Sequence, residues 1–353
     1  MPTISAPQLQ EFAVNLLAAG GASREEARRV GESLVRANLC GYDSHGVMRI
    51  PYYVEALAAG EVVSGAKFEI LRESPAHLAV DAHWGFGQIQ THELLRRLMD
   101  KARRHAVGGG TMIHCGHIGR LGEYCEAAAA EQLVSMVMAN THGATVRVAP
   151  PGGTSPRLGT NPLAIGAPDR DAPLILDFST SATAEGKVRV KKIAGEACPP
   201  GWLLDHQGRP TTDPNALYTT PPGTILPMGG PQAYRGFGLG LMIEVLAGAL
   251  SGGLCARERL SPIKGNCVFM LLLDPEHFGG GEAFRAEVCQ LVDFIRACPR
   301  AEGVAQIFLP GDPERQTVQQ RLAAGITLDD ENWGALLRLA QRLGVPAAAT
   351  PFP

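Results

Sequence analysis

GFGLGLMIEVLAGAL, residues 236–250, is glycine-dense enough to raise a dinucleotide fingerprint, yet its spacing denies one. That fingerprint is GxGxxG set between a strand and a helix, so that backbone can approach a pyrophosphate at the helix N-terminus. Here the glycines fall at 236, 238 and 240, and the segment opens a helix after a loop rather than after a strand. Its plain reading is a buried helix whose glycines allow close packing. No other segment supplies the fingerprint, and the Walker lysine pattern is absent as well. A nucleotide triphosphatase is therefore not expected.

Length and composition frame the rest. The 353 residues are enough for two or three packed subdomains around a large core. Apolar residues make up 45% and charged residues 19%, the balance of a globular protein. The formal charge of −3 argues against nucleic acid, whose phosphates call for a basic face. No apolar run approaches a membrane span, and the opening MPTISAPQLQEF lacks a basic region followed by an apolar stretch. Neither a membrane segment nor a signal peptide is expected. Eight cysteines show no CxxC and no paired spacing, and several lie in apolar runs such as NCVFMLLL. Buried thiols in a reducing cytoplasm are the expectation.

The first sixty residues read as helices. Ser23 and Glu26 have the spacing of a capping box, followed by Ala27, Val30, Leu34 and Ala37 at helical intervals, with Gly41 as the stop. Pro51 suits the first turn of a further helix that ends near Gly60. From about residue 67, strands alternate with helices: FEILRES, HLAVDA, TMIHC and VSMVMAN as strands, HELLRRLMDKARRHA and YCEAAAAEQL as helices. Residues 140–234 are rich in Gly, Pro and Thr, with LAIGAP and LILDFS as strands and few helix signals. NCVFMLLLD reads as a buried strand, and PERQTVQQRLAAG and DENWGALLRLAQRLG as closing helices.

Chemistry-bearing residue types gather in CGYDSHGVMRIPYY, residues 40–53, at a helix–loop–helix junction. An imidazole such as His45 titrates near neutral pH and can pass a proton to a carbonyl or alkoxide. A guanidinium such as Arg49 grips a carboxylate with two parallel hydrogen bonds, and a phenol such as Tyr53 can orient the same substrate. On residue types alone a polar turn is the better fit. His114, His117 and His142 follow strands, where loops commonly carry function. Three loop histidines also raise a metal-dependent hydrolase, but carboxylate ligands at helpful spacing are missing, so no metal is expected.

DSHGV with its following Arg and Tyr, GFGQ at 85–88, HIGRLGEY at 117–124, RLGTNPLAIGAP at 157–168 and LDFSTSATAEGKV at 176–188 occur in order along the chain. PPGWLLDHQGRPTTDP at 199–214, AYRGFGLGLMIEVLAGALSGG and LPGDPERQTVQQRLAAGITLDDENW follow. Together they resemble the type 2 malate/L-lactate dehydrogenase family across nearly the whole length, and most of all its hydroxycarboxylate dehydrogenase B branch. The resemblance implies NAD or NADP held without a Rossmann fold in a homodimer. The fold class implied is mixed α/β (α+β), a largely antiparallel sheet plus an N- and C-terminal helical subdomain. The expected regions are 1–66, helical; 67–139 with 235–309, central; 140–234, cofactor-binding; and 310–353, helices packing with the N-terminal region.

Carried onto this sequence, the resemblance makes His45 the acid/base, with Ser44 orienting its ring, or else His117, the histidine used in the ureidoglycolate branch. It puts Arg49, Tyr53 and Thr160 on the substrate side. Cofactor contacts fall to Asn140 and Thr141, to Asp177, Phe178, Ser179, Thr180 and Ser181, to Tyr234 and Arg235, and to the Pro310–Gly311 turn. Two departures stand out. Arg235 replaces the lysine usual in the family, and the two cations differ in geometry. Cyclic ketimine reductases of the family place an acid where this chain has Lys187, which weakens the imine-reductase reading. The expectation is hydride exchange between a nicotinamide and a small 2-hydroxy or 2-oxo acid.

Overall fold

The computed structural model describes residues 1–347; from Ala348 on, the terminal VPAAATPFP run lies outside the described residues. Strand β1 (Thr3–Ile4) leads into α1 (Ala6–Ala19), α2 (Arg24–Leu39) and α3 (Ile50–Ala58). The capping box forms as its spacing predicts. Ser23 Oγ accepts from the Glu26 amide at 3.3 Å, and Glu26 Oε2 accepts from the Ser23 amide at 2.9 Å. α2 buries Ala27, Val30, Leu34 and Ala37, and Gly41 leaves the helix at φ +86, where a side chain would be strained.

Next along the chain are β2 (Glu69–Ser74), β3 (His77–Asp81), α4 (Gly87–His105), β4 (Val107–Cys115), α5 (Gly122–Ala130) and β5 (Val134–Asn140). β6 (Pro162–Ala167), β7 (Leu174–Ser179), α6 (Glu185–Ile193) and the short strands β8 (Leu203–Leu204), β9 (Pro210–Thr211) and β10 (Thr224–Ile225) follow. α7 (Ala233–Ile243), β11 (Asn266–Leu273), α8 (Gly281–Arg296), α9 (Asp312–Ala324), β12 (Ile326–Thr327) and α10 (Asp330–Leu343) complete the order.

Seven strands make one sheet in the order β2-β3-β4-β11-β5-β6-β7. Only β3 and β4 run parallel; every other neighbouring pair is antiparallel. The fold is mixed α/β with a largely antiparallel sheet. α4 and α5 cover one face, where Leu94, Leu98 and Ala128 meet Leu78, Met112 and Val268. The triple glycine of β4 permits that approach, since a Cβ on Gly110 would lie 2.7 Å from Leu98 Cδ1. β6 and β7 belong to the segment 140–234 yet pair into this sheet, beside β5.

α7 lies on the other face, with Ile243 against Met138, Leu163 and Cys267. Two of the three glycines in GFGLG serve close packing. A Cβ on Gly240 would sit 2.8 Å from Thr180 Oγ1 and one on Gly236 2.7 Å from Met228 Cγ, while Gly238 faces open space. The helix is not buried all round, because Leu241, Met242 and Val245 are each 44–50% exposed. After Ile243 it widens into a π-helical turn, Glu244–Ala249, a distortion found mostly at functional sites.

The terminal regions share one core, in which Leu9, Leu16 and Leu17 of α1 and Leu34 of α2 meet Ile50 and Tyr53 of α3 and Leu336 and Leu339 of α10. Each fully buried leucine contributes about 1.5–3 kcal/mol, so the loop between α2 and α3 rests on a firm base. Two further helices lie outside the segments read as helical above. α6 is short and basic and buries only Val188, and α8 buries only Gly281 and Val292. α6 lacks an apolar stripe, whereas α8 has one, Phe284, Val288, Leu291, Val292 and Ile295 at helical intervals, which the sequence reading overlooked.

Candidate active site

The junction between α2 and α3 is braced from beneath. Two 3-10 turns, Asp43–His45 and Val47–Arg49, carry the chain across it. The buried Asn38 donates Nδ2 to Asp43 Oδ1 at 2.7 Å and accepts the Val47 amide at 2.9 Å. Arg321 of α9 grips the same aspartate through both nitrogens, at 2.6 and 3.0 Å. Gly46 lies so close to Asn38 that a Cβ would strike its amide. This is no loose polar turn.

The brace fixes three side chains. Ser44 Oγ is 2.9 Å from His45 Nδ1, and Arg49 Nε donates to the Ser44 carbonyl at 2.7 Å. Arg49 also stands at the N-cap of α3, but the Ile50 amide is spent on the Val47 carbonyl and Pro51 has none, so this end offers an anion little beyond the helix dipole. Asp43 is held by Arg321, and no carboxylate pairs with Arg49 among the described residues. Its two terminal nitrogens have no protein hydrogen-bond partner there.

His117 arrives from the loop after β4 and stacks on His45, the ring centroids 5.5 Å apart and the planes 24° from parallel. Its Nδ1 meets the Tyr53 hydroxyl at 2.8 Å, and the Gln88 amide nitrogen donates to that same oxygen at 2.9 Å. Burial, with help from the cations Arg49 and Arg120, pushes the pKa of His45 down to about 3. Burial, then Arg49 and His45, holds His117 well below the usual imidazole range. Both rings are neutral in the protein as it stands.

Ser44, His45, Arg49, His117, Asn140, Thr141 and Thr160 line one cavity of about 380 Å³, the lower part of the range for small-molecule sites. Ile118, Leu121, Ala139, Ala144 and Pro162 give it an apolar wall, and Arg147, Lys264, Asn266 and Glu185 add polar groups. Tyr53 stands behind His117 rather than in the wall. Asn140 lines the cavity, but its side chain is committed elsewhere. Its Nδ2 donates to Glu244 Oε2 at 2.8 Å and to the Leu254 carbonyl at 2.9 Å, and its Oδ1 accepts the His142 amide at 3.0 Å. Glu244, in the π-helical turn, also accepts from Asn161 at 2.9 Å. One buried carboxylate therefore ties together the segments after β5 and before β6. Among the described residues the Thr160 hydroxyl has no hydrogen-bond partner, while its carbonyl accepts from the Thr180 hydroxyl at 3.1 Å.

The other sequence candidates lie apart from this cavity. Asp177 is held by the Gly122 amide at 2.7 Å, and burial, opposed by Arg120, raises its carboxyl to about 6. It lines a second cavity of about 200 Å³ with Gly311, beside the Pro310 carbonyl that accepts from the Ile175 amide at 3.2 Å. Phe178 packs under α7, and Ser179 hydrogen-bonds Ser181 at 3.1 Å. Tyr234 and Arg235 are exposed at the start of α7, joined to each other at 3.1 Å. His114 pairs with Asp81 at 2.9 Å and His142 with Cys267 at 3.1 Å. Among the described residues no group of three His, Cys, Asp or Glu side chains could hold a metal ion. Sequence reasoning missed Gln88, Arg147, Lys264 and Asn266. Of these, Gln88 lies in the quoted motif GFGQ, and Asn266 opens the strand NCVFMLLLD.

The buried rings make a stability prediction. His45 at about 3 and His142 at about 4 (the latter by burial, then His114 and Arg257), with His117 also depressed, stay neutral where unfolded histidines protonate. Such groups contribute stability that is full above about pH 6.5 and lost as pH falls. Asp177, raised to about 6, acts in the opposite direction between about pH 6 and 4. His45 and His142 set against Asp177 leave a net uptake of about one proton on unfolding, to which His117 adds, so at least ~1 kcal/mol is lost per pH unit over that window. Denaturant titrations from pH 7 to 4.5 should show this slope, and a flat profile would refute it.

The family model described as malate/L-lactate dehydrogenase matches residues 4–337. Hydroxycarboxylate dehydrogenase B of Escherichia coli (strain K12) is 34% identical over 331 residues, covering 92% of this chain and 90% of that protein. Malate dehydrogenase from Pyrococcus horikoshii OT3 has a similar structure, with a TM-score of 0.87 at 30% identity over 98% of this chain and 96% of its own. Δ1-piperideine-2-carboxylate reductase from Pseudomonas syringae pvar. tomato also resembles it, with a TM-score of 0.82 at 32% identity over 96% of this chain and 100% of its own.

Proposed function

The chain belongs to the malate/L-lactate dehydrogenase family, and from that premise we propose that it exchanges hydride between NAD or NADP and C2 of a small 2-hydroxy or 2-oxo carboxylic acid. One observation carries the reading: two stacked neutral histidines and an unpaired arginine share a single cavity. The residues fit a nicotinamide. Apolar side chains form a wall for a flat ring, the Thr160 hydroxyl is free, and Gly186 leaves a recess that a Cβ would fill, 2.8 Å from Ser44 Cβ. When bound, the cofactor supplies or accepts the hydride.

The chain's own groups do the remaining work. Arg49 takes the substrate carboxylate with its terminal nitrogens, which sets C2 and its oxygen beside the two imidazoles. His45 and His117 manage charge and proton at that oxygen, and the apolar wall excludes water. The cofactor is proposed to lie on this antiparallel sheet without a Rossmann motif, its remainder reaching toward Asp177, Ser179, Tyr234, Arg235 and Gly311. A homodimer in the cytoplasm completes the proposal. The exposed apolar stripe of α7 and the absence of any disulfide among the cysteines are consistent with it.

Reduced nicotinamide should bind with a dissociation constant on the micromolar scale and change its fluorescence on binding. No change at saturating protein would refute the cofactor. A panel of 2-oxo acids run with both cofactors then names the substrate class. Cyclic ketimines belong in that panel, because the Pseudomonas syringae neighbour is named as the reductase of one. Turnover of imines alone would transfer the same hydride machinery to that substrate.

A further inference from the structure

His117 has two nitrogens, and its neighbours decide which one carries hydrogen. Nδ1 faces the Tyr53 hydroxyl at 2.8 Å, so Nε2 is left for a ligand in the cavity. In a neutral imidazole the partner of one nitrogen dictates the state of the other. The Tyr53 oxygen in turn receives the Gln88 amide at 2.9 Å. Gln88 is 1% exposed and Tyr53 2%, so neither falls back on bulk water.

Counting donors gives this chain its direction. With the amide nitrogen toward Tyr53, Gln88 leaves Oε1 and one of its two N–H donors without a partner among the described residues. Turned over, it would strand an NH₂ with two donors, and buried orphan N–H groups are the rarer and costlier defect. Having accepted from Gln88, the phenol aims its own proton at Nδ1 of His117.

We propose that Gln88 is a positioning residue which, through Tyr53, holds the hydrogen of neutral His117 on Nε2, facing the substrate oxygen as a fixed hydrogen-bond donor. His45 is built differently. Its Nδ1 faces the Ser44 hydroxyl, a rotor able to donate or accept, so either nitrogen of that ring can carry hydrogen. The two rings divide the work. His117 polarises the oxygen without giving up a proton, and His45 is free to take up or release one. This division rests on the proposed 2-oxo acid chemistry.

The test is nitrogen-15 NMR of the full chain with labelled histidine and reduced cofactor present, the His117 signals assigned by their loss in His117→Gln. Wild type should show Nε2 protonated and Nδ1 bare. Gln88→Glu supplies a carboxylate that accepts the phenol proton. It should move the hydrogen to Nδ1 and lower kcat for 2-oxo acid reduction about tenfold, with cofactor affinity unchanged. If that variant does not fold, Gln88→Met, similar in volume and without donors, should give a mixture of the two tautomers. A protonated Nδ1 in wild type overturns the proposal. So does a folded variant whose His117 spectrum and kcat match wild type, the result expected of a residue that only packs. If no acid or imine is turned over, the reading of function fails, while the spectrum still decides the role of Gln88.

Discussion

Replacing His45 with alanine is expected to lower kcat for 2-oxo acid reduction by about 10²–10⁴-fold, the usual contribution of general acid/base catalysis. The free ring sits at about pKa 3, held there by burial first and by the Arg49 cation second. A substrate carboxylate on Arg49 would offset that cation's share of the depression, while burial, the larger cause, remains. The loss should appear in turnover, with the dissociation constant of reduced cofactor within a few-fold of wild type. Alanine at His117 is expected to cost less, because a neutral hydrogen-bond donor is lost rather than a proton carrier. Near wild-type turnover in both variants would refute the histidine chemistry.

Arg49→Lys is expected to reduce kcat/KM for the acid by roughly 10- to 150-fold. A hydrogen bond to a charged group contributes about 1.5–3 kcal/mol, and each 1.4 kcal/mol is a factor of ten. Lysine keeps the charge but loses the planar fork that meets two carboxylate oxygens at once. It also loses the Nε bond to the Ser44 carbonyl at 2.7 Å, which aligns the guanidinium with the His45 loop. An amide analogue of the substrate separates the two effects. Equal losses for acid and amide would reject carboxylate binding, because only the acid offers a second charged oxygen.

What the sequence made legible was local. The capping box at Ser23, the strands VSMVMAN and NCVFMLLL and the helix beginning around Pro51 all form, because caps and apolar periods act over a few residues. The SHG loop was legible as a cluster of residue types, and the cavity lining includes Ser44, His45 and Arg49 from it. Less legible was everything settled at long range. Gln88 meets Tyr53 across 35 positions, and Asn140 meets Glu244 across 104. No spacing rule reaches that far. Asn140 also shows that a residue type suited to binding can be committed instead to bracing the wall. α6 offers the core only Val188 and leaves no periodic stripe, whereas α8 does carry one, Phe284, Val288, Val292 and Ile295, which went unread.

The clasp of Arg321 on Asp43 has a consequence for the newly made chain. The two residues are 278 positions apart, one in the loop that bears His45 and Arg49 and one in α9. Domains fold from the N-terminus as synthesis proceeds, at about 5–20 residues per second. At that pace the loop waits roughly 15–55 seconds for its partner to be polymerised. Until then Asp43 has only Asn38 to hold it, and the loop bearing His45 and Arg49 lacks its outer strap. Nascent chains still on the ribosome are therefore expected to be catalytically silent, however well their N-terminal helices have packed, and competence should appear late and all at once.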